Sequence, residues 1–281
     1  MAKVFVSGSR GFIGSALKKA LEESGDAVIE VPPLLRIQDK TYFSAIPNPE
    51  KIDVFYHLSA KSFVPDSWAR PSDFFESNVV GTSRVLEFCI EHTIPVVFMS
   101  SYIYGAPDYL PLDENHPVKI SNPYAMSKKI GEDLCWFYGD NRGLKFNIAR
   151  PFNTYGPNQP SDFLIPTIIR QLSEPEIKVH DLDPKRDFVY ISDVVQALLA
   201  MKSKFNNEAY NIASGTSISV AELISSIQSA YGTKRTVTAS GQRRHGEIPD
   251  CIADISKIKK AFGWEPRVSL SEGLNKIKLR S

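Results

Sequence analysis

The chain predicts a doubly wound α/β fold, a parallel sheet with helices on both faces, followed by a smaller C-terminal lobe. Three observations carry that expectation. Short apolar runs alternate with helical stretches along the first 151 residues. Those runs are apolar almost throughout, as in strands covered on both faces, and do not alternate. A glycine cluster, GSRGFIG (8–14), stands between the first run and the first helical stretch.

KVFVSG (3–8) reads as a buried strand ending in glycine. Residues 11–25 have helical periodicity, with Gly25 as a stop. AVIEV (27–31) is a second strand and LLRI (34–37), after Pro32-Pro33, a third. DVFYHLSA (53–60), PVVFMSS (95–101) and KFNIARP (145–151) supply the fourth to sixth. Helices are expected from about 73 to 92 and from about 123 to 138. Beyond Pro151 turn-rich pieces such as NTYGPNQPSD (153–162) alternate with short helices. The expected domains are 1–151 plus about 179–213, a nucleotide-binding sheet, and about 152–178 plus 214–281, a substrate lobe.

With 281 residues, 42% hydrophobic and 23% charged, and a net charge of +1, the composition is ordinary for a globular chain. It gives no reason to expect nucleic acid or a membrane surface as partner. Cys89, Cys135 and Cys251 are widely spaced and odd in number, which suggests a reducing, cytoplasmic setting. The histidines at 57, 92, 116, 180 and 245 form no metal-ligand spacing, so no metal is expected. No signal peptide and no apolar stretch of spanning length is read.

GxxGxxG directly after a strand and opening a helix lets a pyrophosphate approach backbone amides and the positive end of the helix dipole. The expected cofactor is NADP(H) or NAD(H). An NAD site places a carboxylate near the end of the second strand for the ribose 2′-hydroxyl. Here that place falls at Pro32, with Glu30 two residues early and Arg10 and Arg36 nearby. Arginines accept a 2′-phosphate, which favours NADP(H), unless Arg10 is only a solvated loop residue and Arg36 only a strand end. Asp39 is placed to meet the adenine. Tyr124 and Lys128 lie one helical turn apart, a spacing that many surface helices show by chance.

GSRGFIG (8–14), HLSAK (57–61), NVVGT (78–82), SSYIYG (100–105), NPYAMSK (122–128), RPFNTYGP (150–157), RDFVYISDV (186–194) and RRHGEIPDCIADISK (243–257) run in the order of a known family. On these motifs the chain resembles the extended short-chain dehydrogenase/reductases, the nucleotide-sugar epimerase/dehydratase group with a Rossmann domain. The resemblance implies a catalytic Ser100, Tyr124 and Lys128, with Lys128 lowering the pKa of Tyr124. It implies cofactor contacts from Gly8, Arg10, Gly11, Phe12, Ile13, Gly14, Leu58, Ser59, Ala60, Asn78 and Pro151, besides Tyr124 and Lys128. It implies substrate contacts from Ser100, Tyr102, Asn153, Arg186 and Arg244. It also suggests a homodimer through the helices near 73–92 and 123–138, where Phe88, Trp136 and Phe137 could serve an interface or the monomer's own core.

Within that family, dehydratases carry an acid where this chain has Ser101 and Tyr102, which argues against dehydration. GDP-fucose synthases carry Cys and His where it has Tyr102 and Asn158, which argues against 3,5-epimerisation. The resemblance then implies a 4-keto-6-deoxy sugar nucleotide reductase, closest to the GDP-4-keto-6-deoxymannose reductases. An NAD-dependent 4-epimerase is the alternative, and other members such as decarboxylases or a non-catalytic NAD(P)-binding sensor stand behind it.

Overall fold

The computed structural model describes residues 1–32, 35–242 and 248–279. In chain order the elements are β1 (Lys3–Ser7), α1 (Phe12–Glu23), β2 (Ala27–Ile29), α2 (Lys40–Ser44), β3 (Val54–His57), α3 (Val64–Ala69), α4 (Pro71–Phe74), a π-helical stretch Phe75–Val80, α5 (Gly81–Glu91), β4 (Val96–Met99), α6 (Pro123–Arg142) and β5 (Phe146–Pro151). They continue with β6 (Asn153–Tyr155), α7 (Leu164–Gln171), β7 (Glu176–Val179), β8 (Lys185–Tyr190), α8 (Ile191–Met201), β9 (Glu208–Ile212), β10 (Ser217–Ser219), α9 (Val220–Tyr231), β11 (Thr236–Ala239), α10 (Ser256–Phe262) and α11 (Leu270–Lys278).

The chain divides into two compact units. The first comprises Met1–Ile103, Val118–Arg150 and Val195–Tyr210. Its sheet has the order β2-β1-β3-β4-β5-β9, with β1 to β5 all parallel. Sequence order reverses between β1 and β3, the switch point where such folds bind ligands. Every residue of β3, β4 and β5 is buried, so these strands need apolar side chains on both faces. Phe5, Phe55, Phe98 and Phe146 share one cluster, with the Phe5 and Phe55 rings 4.7 Å apart. Each buried phenylalanine contributes about 1.5–3 kcal/mol over an exposed one.

The expected third strand is absent over its described residues. Leu35 and Arg36 have no regular structure and Ile37 lies in a turn. Pro32 brings no N–H to a ladder. The apolar character of Ile37 comes from packing, not pairing: it is buried, and a Cβ on Gly81 would come within 2.7 Å of its Cγ2. The helix expected over 73–92 is a continuous helical run, but Phe75–Val80 is π-helical, and Asn78 sits in that stretch. Such bulges concentrate at functional sites.

The second unit comprises Tyr104–Pro117, Pro151–Val194 and Asn211–Ser281. By compactness, therefore, residues 104–117 and 179–194 group with it and not with the first. It holds a sheet β10-β8-β6 and a parallel pair β11-β7. Asp187, fully buried on β8, accepts from the Ser214 amide (2.7 Å) and hydroxyl (2.6 Å), the Gly215 amide (2.9 Å) and the Ala253 amide (3.3 Å). Burial pushes its pKa up, and the four donors hold it down. That carboxylate ties three separate stretches of the unit together.

Candidate active site

The glycine loop follows β1 and opens α1. Gly8 has φ +76°, and a Cβ there would lie 2.9 Å from the Ser59 amide nitrogen. A Cβ on Gly14 would come within 2.0 Å of the Gly8 carbonyl. No side chain fits either position, and the loop closes directly onto the first turn of α1, where Phe12 and Ile13 are half-buried. This glycine cradle suits a pyrophosphate, and so the dinucleotide expected from the motif.

Beside it lies a cavity of about 610 Å³ within the first unit. Of the expected cofactor residues, Gly8, Arg10, Gly11, Arg36 and Ser59 line it. Pro32, Gln38 and Tyr42 line it too. Asp39 does not: it is exposed and starts α2, and its neighbour Gln38 takes the cavity position. Glu30, just past β2, is occupied. Its carboxylate accepts from the Ser9 hydroxyl and from the Lys18 ammonium. Sequence reading weighed Glu30 by its position but missed Lys18, because the partner sits on a different element.

Asn78 is almost fully buried, and its amide is spent on bracing. It accepts from the Lys61 amide (2.8 Å) and donates to the Lys61 carbonyl and the Ser127 hydroxyl (both 2.9 Å). Ser127 in turn donates to the Tyr124 carbonyl (2.7 Å). Asn78 thus fixes the loop carrying Leu58, Ser59 and Ala60 against the first turn of α6, and does not face the cavity.

That turn is built for precision. Asn122 caps it by accepting from the Ala125 amide (2.8 Å), and Pro123 needs no donor there. Tyr124 and Lys128 then stand on one face. The Tyr124 ring packs edge-on against Phe74, with centroids 6.4 Å apart. Its phenol hydrogen-bonds to the Ser101 side chain. Ser100, whose amide donates to Ala149 (2.8 Å), ends β4 fully buried, and its Oγ has no hydrogen-bond partner among the described residues.

Lys128 is 3% exposed, and its Nζ lies 4.9 Å from the centre of the Phe98 ring. Gly131 allows this: a Cβ there would meet the same ring at 2.6 Å. Burial pushes the Lys128 pKa down to about 8, against the pull of Glu132 one turn on. Burial raises the Tyr124 pKa above its ordinary value, against the Ser101 bond. The sequence expectation was the opposite, a phenol lowered by Lys128. Tyr124 is half-buried, and desolvation of its phenol is the larger of the two influences. Glu132 itself is buried and paired with Arg150 through two bonds, 2.9 and 2.6 Å. Behind the switch point, His57 is locked between Ser7 and Thr82 (both 2.9 Å), and its pKa falls to about 3 through burial and then Lys128. It is a neutral structural histidine.

In the second unit, Asn153 donates to the Asp187 carbonyl (3.1 Å), and Arg186 donates to the carbonyls of Lys185 (2.7 Å) and Ile248 (2.6 Å). Arg244 lies outside the described residues. Tyr102 is half-buried after β4, and Pro151 is buried at the end of β5.

Residues 4–213 match the profile of the NAD dependent epimerase/dehydratase family. The chain belongs to that family. Over 98% of its length and 96% of the relative's, it is 33% identical to a putative UDP-glucose 4-epimerase of Methanocaldococcus jannaschii. It is 28% identical to the GDP-6-deoxy-D-mannose reductase of Pseudomonas aeruginosa, over 98% of this chain and 95% of that one. Among solved structures, RMD from Pseudomonas aeruginosa complexed with NADPH superposes with a TM-score of 0.92 at 27% identity, covering 99% of this chain and 97% of that one. As a member of this family the protein is an enzyme of the NAD(P)-dependent nucleotide-sugar epimerase and reductase type. No helix among the described residues is long and apolar enough to cross a membrane.

Proposed function

We propose that the protein is an NADPH-dependent reductase of a 4-keto-6-deoxy sugar carried on a nucleoside diphosphate. The observation that carries this is the ribose end of the cavity. Arg10 and Arg36 line it, Pro32 stands where an NAD site has its carboxylate, and Glu30 is taken up by Ser9 and Lys18. The carboxylates that do line the cavity, Asp73 and Glu76, come from after β3, and Asp73 is paired with Lys61 at 2.7 Å. Two guanidinium groups at that end suit a 2′-phosphate, although Glu76 also lines the cavity and the Asp73 carboxylate lies within reach of the Arg36 charge. A reductase requires a cofactor that exchanges between turnovers, the role NADPH would fill. The similarity to a GDP-6-deoxy-D-mannose reductase supports the substrate class.

NADPH, when bound, supplies the hydride for C4. The chain's own groups handle the oxygen. Tyr124, with its raised pKa, is held as the neutral phenol that can protonate the nascent alkoxide. The unpartnered Ser100 hydroxyl donates a second hydrogen bond to the same oxygen. Lys128 places a positive charge one turn below. By the family resemblance, Asn153, Arg186 and Arg244 are the residues proposed to contact the substrate.

The Lys128 charge sets a pH dependence. Its ammonium is present below about pH 8 and lost as pH rises through about 8. For reduction, kcat/KM, which reports the free enzyme, is expected to fall on the alkaline side with a midpoint near that pH. A profile flat to pH 10 would show that the charge is not used.

A 4-epimerase is the second possibility, favoured by the 33% identity over the whole chain. The assay that separates them mixes the enzyme with GDP-4-keto-6-deoxymannose and NADPH and follows absorbance at the reduced-nicotinamide band. Stoichiometric oxidation is expected. Interconversion of UDP-glucose and UDP-galactose without net cofactor consumption would replace the reductase by the epimerase.

A further inference from the structure

Glu30 presents a puzzle of placement. It stands one residue past β2, at the end of the strand from which dinucleotide enzymes recruit a ribose-binding carboxylate. Its side chain remains 25% exposed, so it is not sealed in the core. Yet it is absent from the cavity wall, where Ser9, Arg10 and Pro32 stand instead. One carboxylate oxygen accepts the Ser9 hydroxyl of the glycine loop and the other accepts the Lys18 ammonium. Lys18 projects from the second turn of α1 and also lies 3.9 Å from Glu22. Arg10 closes the group, its Nη2 3.4 Å from the Val31 carbonyl.

We infer that Lys18 is a specificity-determining residue: by pinning the Glu30 carboxylate against the glycine loop, it withholds from the ribose the acceptor that would select NAD(H). This rests on the NADP(H) proposal above. With Lys18 in place, the Glu30 carboxylate is paired and outside the cavity wall, while Arg10 and Arg36 line it. Without Lys18, Glu30 keeps the Ser9 bond and the more distant attraction of Arg10, and loses its direct counter-ion. A carboxylate without its ammonium partner then stands beside the cavity. It repels a dianionic 2′-phosphate and offers an acceptor to the 2′-hydroxyl of NADH. The fall of the Glu30 pKa and the rise of the Lys18 pKa, each led by their mutual hydrogen bond, agree with a stable pair. Neither residue touches the reacting carbon in this scheme, so the effect is confined to which cofactor binds.

The test measures dissociation constants for NADPH and NADH, by nicotinamide fluorescence, on the full-length protein. The variants are Lys18→Met, Lys18→Gln as a second replacement, and the double Lys18→Met/Glu30→Gln. The wild type is expected to bind NADPH more tightly. In either Lys18 variant the preference for NADPH should shrink on the order of tenfold or more. In the double variant it should return, because the freed carboxylate is gone. An unchanged preference in both Lys18 variants, in a protein whose wild type still favours NADPH, overturns the role of Lys18 and leaves the cofactor proposal standing. A shift that persists in the double variant also overturns it, since Glu30 would not be the agent. A wild type that favours NADH overturns the cofactor proposal itself, and the inference with it.

Discussion

Replacing Tyr124 with phenylalanine is expected to lower turnover by roughly 10²–10⁴-fold, the usual loss when a positioned general acid, the role proposed for it, is removed. Affinity for NADPH stays within about a factor of three, because the phenol oxygen is not a phosphate or ribose anchor in this scheme. The fold is expected to survive. Phenylalanine keeps the ring that packs edge-on against Phe74, and the one bond lost is to Ser101, whose hydroxyl can rotate to another partner. Single-turnover mixing with saturating NADPH separates the two effects: the rate of reduction falls while cofactor quenching is retained. Wild-type turnover in Tyr124→Phe would move the acid to another residue.

Arg150→Met is the second large effect, and it acts on stability first. Glu132 and the Arg150 side chain are 1% and 7% exposed, and they make a bidentate pair. Removing the guanidinium leaves a buried carboxylate without its counter-ion. That costs about 3–5 kcal/mol, far more than the pair contributes net. Chemical denaturation should show it as a drop in midpoint. The double variant Arg150→Met/Glu132→Gln should recover much of the loss, since no bare charge remains. A second readout follows from position. Glu132 already holds the Lys128 pKa up against burial. Without Arg150 its field on Lys128 strengthens, so the ammonium persists to higher pH and the alkaline limb of kcat/KM moves above its wild-type midpoint. An unshifted limb would confine the pair to a structural role.

Local signals were legible in the sequence because they depend on neighbours in the chain. Gly8 and Gly14 could be assigned from spacing alone, and the structure supplies the steric reason for each. The buried strands were legible from unbroken apolar runs. LLRI misled for the same reason: Ile37 is apolar to pack against Gly81, and an apolar run cannot distinguish a strand from a packed turn. What the sequence hid was pairing across elements. Lys18 with Glu30, Asn78 with Lys61 and Ser127, and Glu132 with Arg150 join residues 12, 17 or 49, and 18 positions apart, with no motif between them. The raised direction of the Tyr124 pKa was hidden on the same ground. The i and i+4 spacing of a lysine can be read from the chain, but the desolvation of the phenol cannot.

The most direct measurement is mass spectrometry of the purified protein, sprayed natively and after denaturation, to identify what dinucleotide travels with it. An NADPH-dependent reductase should arrive empty or with partial NADP(H), and then bind NADPH more tightly than NADH in titration. Near-stoichiometric NAD⁺ that survives purification and leaves only on denaturation would contradict that account and point to an enzyme that recycles its cofactor in place, as a 4-epimerase does.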